Sequence, residues 1–177
     1  WRDYGGAEAV LRAVAPGENL PKDAFWTDTR AVDAQRSYID ALLTRTNTVN
    51  GRSYANDPAV FAWELANEAR CDDPTLCRQD TLITWARTLA LQLRASGARQ
   101  LVAWGGIGYQ GEHGEDLNAL AADGAVDVLT VHMYPLAYAP PTGNEAMDTI
   151  RYLTGAAVGV SRVRDAARLA RTFGAAI

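Results

Sequence analysis

Between Asp28 and about Thr46 the apolar positions Val32, Ile39, Leu42 and Leu43 recur with a helical period, and Thr27 or Asp28 is placed to cap the start. Turn-forming residues fill Asn47 to Pro58. The run Val60 to Leu65 is short, apolar and rich in strand formers, which predicts a buried strand that ends in Ala66, Asn67, Glu68, Ala69 and Arg70. Leu82, Ile83, Ala86, Leu89, Ala90 and Leu93 share one helical face, with Asp80 placed to cap that helix and Gly97 to end it. A second strand is expected at Leu101 to Trp104, closed by Gly105 and Gly106. A short helix around Leu117 to Ala122 leads to a third strand, Val126 to Pro135, which the proline terminates. From about Glu145 to Phe173 the pattern predicts helix, interrupted near Gly155 to Gly159.

Strand, helix, strand, short helix, strand and long helix in alternation is the order of a parallel α/β architecture. Three strands cannot close a barrel, which takes eight strands and about 250 residues, so the choice lies between a small open sheet and an incomplete barrel. In either case the carboxyl ends of the strands hold the site. Asn67 and Glu68 follow the first strand. His132 and Tyr134 stand two apart on the last, so their rings should face one cavity. Glu64 shares the parity of Glu68 and would lie ~13 Å deeper, where a buried carboxylate needs a partner and serves structure. Gly106, Gly108 and Gly111 match a dinucleotide-binding spacing after a strand. Gly114 and the acidic residues around it oppose the helix that a diphosphate would require, and the dinucleotide reading is set aside. Trp1, Tyr4, Trp26, Tyr109, Tyr134 and Tyr138 lie near loops and could offer flat faces to sugar rings, whereas Trp63, Trp85 and Trp104 are assigned to the core.

Length and charge narrow the picture further. The chain has 177 residues, enough for about one domain. Seventeen basic against 21 acidic side chains give −4, a balance that argues against nucleic acid as partner. No stretch approaches the ~20 apolar residues of a membrane helix, so no membrane partner is expected. Arg151, Arg162, Arg164, Arg168 and Arg171 against Asp165 put +4 on the last 27 residues and leave −8 on residues 1 to 150, where the site is to be sought. Cys71 and Cys77, the only cysteines, are separated by five residues of polar loop and could approach disulfide distance. A bridge would imply an oxidising compartment, and secretion is the expectation. A zinc site would need both His113 and His132 as well, and neither metal nor cofactor is expected. Without an initiating Met or a signal peptide, the chain reads as a piece of something longer.

Trp1 to Gly6, then Arg45 and Asn47, Gly51 and Tyr54, Asp57 and Pro58, the block Trp63 to Cys71, and His132 to Pro135 together resemble the endo-β-1,4-mannanases of glycoside hydrolase family 5 over roughly residues 1 to 140. The resemblance implies α/β fold class: a partial (β/α)8 barrel from the end of strand 3 through helix 6, with strands 1, 2, 7 and 8 outside the chain. It implies that Glu68 is the general acid/base after strand 4, its pKa raised by a neighbouring carboxylate, and that Asn67 bonds the sugar 2-hydroxyl. His132 and Tyr134 would line the site after strand 6, Trp1 the glycone side and Arg70 the leaving-group side. The nucleophile would be a second Glu at the end of strand 7, about 5 to 5.5 Å from the first. No residue of this chain maps to it, so the chain alone is expected to be inactive. Ala69 stands where the family has Pro, Ile107 where it has Glu, and Tyr138 where it often has Trp. The implied activity is retaining, endo-acting hydrolysis of a β-1,4-linked polysaccharide, mannan first, by a protein monomeric when complete. The alternatives are a β-1,4-glucanase of the same family and a noncatalytic carbohydrate-binding relative.

Overall fold

The computed structural model describes residues 6–106, 116–134 and 142–176. Its helices are α1 (Ala7–Val14), α2 (Thr29–Thr44), α3 (Gln79–Ala95), α4 (Leu117–Asp123) and α5 (Glu145–Phe173), with single 3-10 turns at Lys22–Trp26 and Tyr54–Asn56. Two strands, β1 (Ala62–Glu64) and β2 (Leu101–Ala103), pair in parallel with Ala62 opposite Leu101 and Glu64 opposite Ala103. The sheet continues by single parallel bridges, from Ala103 to Val128 and from Val128 to Ala176.

Local chemistry explains the helix boundaries. The Asp28 carboxylate accepts the Arg30 N–H at 2.9 Å and caps α2. Helix α3 begins two residues earlier than an Asp80 cap would place it. Arg78 precedes the helix, its N–H bonds the Thr81 hydroxyl at 3.2 Å, and Asp80 lies in the first turn, where its charge still suits the helix dipole. Leu82, Trp85, Ala86, Leu89, Ala90 and Leu93 are the buried face of α3, and Ile83 is only partly covered. The expected break in α5 is absent. Gly155 and Gly159 are buried inside a continuous helix, one turn apart, and a Cβ at Gly159 would fall 2.4 Å from Met133 Cε. Gly159 serves close packing rather than chain reversal.

The strands are shorter than the apolar runs. Phe61, just before β1, is 74% exposed. Glu64 is exposed, not deep and partnered, because nothing described covers the face of β1 opposite to the one that Trp63 and Leu65 pack on the core. Residues 126–134 form bridges rather than a regular strand. The Asp127 carboxylate takes the Val102 N–H at 2.8 Å, where a ladder bond would otherwise start, while the Leu129 N–H goes to the Ala176 carbonyl.

The core lies between sheet and helices, along a series of edge-on indoles: Trp26 to Trp85 at 4.8 Å and Trp85 to Trp104 at 6.1 Å between ring centres. Trp26 is therefore core and offers no face to a sugar. Trp63 is partly buried against this core, its Nε1 donating to Gln100 at 3.1 Å.

Candidate active site

Beyond β1 the chain stays tied to its neighbour. Leu65 N–H donates to the Ala103 carbonyl at 3.0 Å and Glu68 N–H to the Gly105 carbonyl at 2.6 Å. Glu68 itself has φ +56°, a left-handed conformation unusual for a side chain of its size and one that turns it out of the strand direction. The close approach depends on Gly105, at φ +80°, where a Cβ would sit 1.6 Å from the Ala66 carbonyl oxygen. On the far side the Thr130 hydroxyl donates to the Gly106 carbonyl at 2.9 Å and steadies the segment that carries His132 and Tyr134.

These elements bring three expected residues together. His132 Nδ1 lies 2.9 Å from Glu68 Oε1 and donates to it while Glu68 is ionised; the Tyr134 hydroxyl donates to the same oxygen. The two rings meet edge to face, 6.4 Å apart. Glu68 Oε2 has no hydrogen-bond partner among the described residues. The carboxylate is mostly covered, at 16% side-chain exposure, and Tyr134 is half exposed. Burial pushes the Glu68 carboxyl up. The hydrogen bonds from Tyr134 and His132, with the charges of His132 and Arg70, outweigh it and hold the group below the ordinary glutamate value. The raised value implied by the resemblance needs a second carboxylate, and among the described residues none acts on Glu68. Tyr134 is shifted up by its bond to Glu68, with burial and the carboxylate charge adding to it.

Arg70 is half exposed and pairs through Nε with Asp72 Oδ1 at 3.2 Å, and Lys22 Nζ holds Asp72 Oδ2 at 2.6 Å. Cys71 and Cys77 are buried and bonded to each other, with Cα atoms 5.2 Å apart. Asn67 is exposed beside Glu68, its side chain without a hydrogen bond among the described residues. Trp1, Tyr4, Ile107, Tyr109, His113 and Tyr138 lie outside the described residues, as does all of the glycine motif beyond Gly106. No group of three His, Cys, Asp or Glu side chains among the described residues could hold a metal ion. Sequence reasoning missed Asp72 as the partner of Arg70. It recorded Gly105 only as the end of a strand, although paired glycines there could have signalled the close approach.

Parallel strands joined by helices, with a covered carboxylate, a histidine and a tyrosine gathered at their carboxyl edge, define an arc of a (β/α)8 barrel with its site at the usual end. The model of a family described as "GH family 5 beta-mannosidase-like" matches residues 19–151, well over half of the chain, and the chain belongs to that family. It is 35% identical over 151 residues to mannan endo-1,4-beta-mannosidase 3 of Oryza sativa subsp. japonica, covering 75% of this chain and 32% of that protein. It is 31% identical over 152 residues to mannan endo-1,4-beta-mannosidase A of Podospora anserina, covering 80% and 37%. The chain thus spans about a third of the curated relatives it matches. Among solved structures, the hyperthermostable endo-1,4-beta-D-mannanase of Thermotoga petrophila RKU-1 superposes with a TM-score of 0.76 at 25% identity, over 99% of this chain and 50% of that one. The endo-1,4-beta-mannanase of Rhizomucor miehei gives 0.71 at 29% identity, over 81% and 44%.

Proposed function

We propose that this chain carries the acid/base half of the active site of a retaining, endo-acting β-1,4-mannosidase. The observation that carries the reading is the convergence of His132 and Tyr134 on one oxygen of Glu68 at the carboxyl edge of the sheet, in a chain of this family. In the first step the Glu68 carboxyl protonates the glycosidic oxygen as its bond to C1 breaks and a second carboxylate forms an ester with C1. In the next, Glu68 removes a proton from the water that attacks C1 and releases the ester. The geometry around Glu68 suits the second step, since two donors and nearby positive charge favour the anion that accepts the proton. The family resemblance implies the second carboxylate on strand 7. The parallel bridge between Val128 and Ala176 supports a further parallel neighbour on that side of the sheet. Asn67 would meet the sugar 2-hydroxyl, Arg70 the leaving-group side and Trp1 the glycone side. Two buried, bonded cysteines support work in an oxidising compartment, and secretion is part of the proposal.

The test uses the complete protein, expected in the extracellular fraction and as a monomer by size exclusion. Glu68→Gln should slow mannan hydrolysis by roughly 10²–10⁴-fold. An activated aryl mannoside, whose leaving group needs little protonation, should still give a burst. Unchanged mannan turnover in the variant would remove Glu68 from the chemistry, and a higher kcat/KM on cellulose than on mannan would move the substrate to glucan.

A further inference from the structure

Asp23 is 2% exposed, a buried carboxylate for which the reaction has no use. It sits in the 3-10 turn Lys22–Trp26 and accepts the Asp72 N–H at 3.1 and 2.9 Å through its two oxygens and the Asp73 N–H at 2.6 Å. A carboxylate withdrawn from water is costly unless its lone pairs are filled, and here the main chain next to Cys71 fills them. The same turn reaches the loop a second time, through the ion pair of Lys22 with the Asp72 side chain. Asp72 is therefore fixed by its backbone and by its carboxylate, and its remaining oxygen holds Arg70.

We propose that Asp23 is a positioning residue for the acid/base site: by clamping the Asp72 and Asp73 amides it fixes the carboxylate that orients Arg70 beside Glu68. The disulfide closes the loop between Cys71 and Cys77 but leaves the Asp72 main chain to other contacts; Asp23 holds its amide, and the neighbouring Lys22 holds its side chain. An arginine on a flexible stem keeps its distance from a carboxylate only while something holds it. Among the described residues, the charged and titratable groups that act on Glu68 are His132 and Tyr134 from the segment after Val128 and Arg70 from its own loop. Of these, Arg70 is the one that the Asp23 clamp reaches. The assignment rests on the reading of Glu68 given above only for its catalytic consequence; the geometry stands without it.

The experiment compares Asp23→Asn, Arg70→Gln and the double variant of the complete protein, following the Glu68 carboxyl titration by ¹³C NMR and the alkaline limb of the pH profile of kcat/KM. Removing the negative charge of Asp23 by itself would push Glu68 down. Releasing Arg70 into solvent pushes it up, so the sign of the shift separates the two. The expected result is an upward shift in Asp23→Asn, in the direction of Arg70→Gln, with no further upward shift when the two are combined. A downward shift or no shift in Asp23→Asn alone, or a full additive upward shift on the Arg70→Gln background, overturns the proposal. Should Asp23→Asn fail to fold, Asp72→Asn leaves the Asp23 clamp intact and is read by the same rule, since losing its charge and releasing Arg70 again act in opposite directions. Normal mannan turnover in Glu68→Gln would refute the catalytic reading while leaving the titration test as it stands.

Discussion

Replacing Gly105 by Ala probes the contact on which the position of Glu68 depends. An L side chain at φ +80° costs about 1–2 kcal/mol by itself. The added Cβ would lie 1.6 Å from the Ala66 carbonyl oxygen and 2.6 Å from Glu64 Cγ, and side chains essentially never come closer than 3.0 Å, so the two strand ends must part by at least 1.4 Å (3.0 less 1.6). Backbone has to move, and backbone in a packed interior resists at about 1–3 kcal/mol. A separation of that size breaks the bond from Glu68 N–H to Gly105 O, now 2.6 Å, and leaves a covered polar pair unmatched for about 1–3 kcal/mol more. The sum is roughly 3–8 kcal/mol, against a total domain stability of about 5–15. Gly97→Ala is the control, because Gly97 has φ +91° and nothing within 4 Å of its Cβ, so it should lose only the conformational part, about 1–2 kcal/mol. Denaturant unfolding of the two variants beside the parent measures the difference. Equal losses, within about 0.5 kcal/mol, would show that the approach of Gly105 to Ala66 is not what holds the strand ends together.

Two other expectations follow from the loops and caps. The bond between Cys71 and Cys77, six apart in sequence, should contribute about 2 kcal/mol in the chain-entropy description, read as a drop in unfolding free energy in Cys71→Ser/Cys77→Ser; an unchanged midpoint would contradict it. The Asp28 carboxyl is held down at about 2, first by its side-chain bond with Arg30, so its folded value lies below the unfolded one. Its contribution is then fully present above pH ~4 and lost as pH falls through about 2. The Tm gap between parent and Asp28→Asn should close over that window, and a gap that persists below it would rule out the cap carboxylate as its source.

The parts of this molecule that could be read along the chain are those whose causes are local. The cap at Asp28 and the apolar face of α3 follow from spacings of three and four residues, because a helix brings those positions together without help from elsewhere. Glu68, His132 and Tyr134 were legible as one site because a parallel α/β order fixes which edge collects the strand ends; strand parity does not aim them, since residues 131–134 are not strand and Glu68 has a left-handed backbone. Family resemblance then added roles, which periodicity could not. What was illegible depends on partners distant in sequence. Glu64 has the parity of an inward residue, yet its exposure depends on what covers β1. Trp26 stands beside a loop but is taken into the core by Trp85, and Gly159 looks like a helix breaker until Met133 is seen against it. The lowered pKa of Glu68 belongs to the same group. A carboxylate's charge is set by the donors within a few ångströms of it, and those donors stand 64 and 66 positions further along the chain, a separation that only the tertiary fold closes.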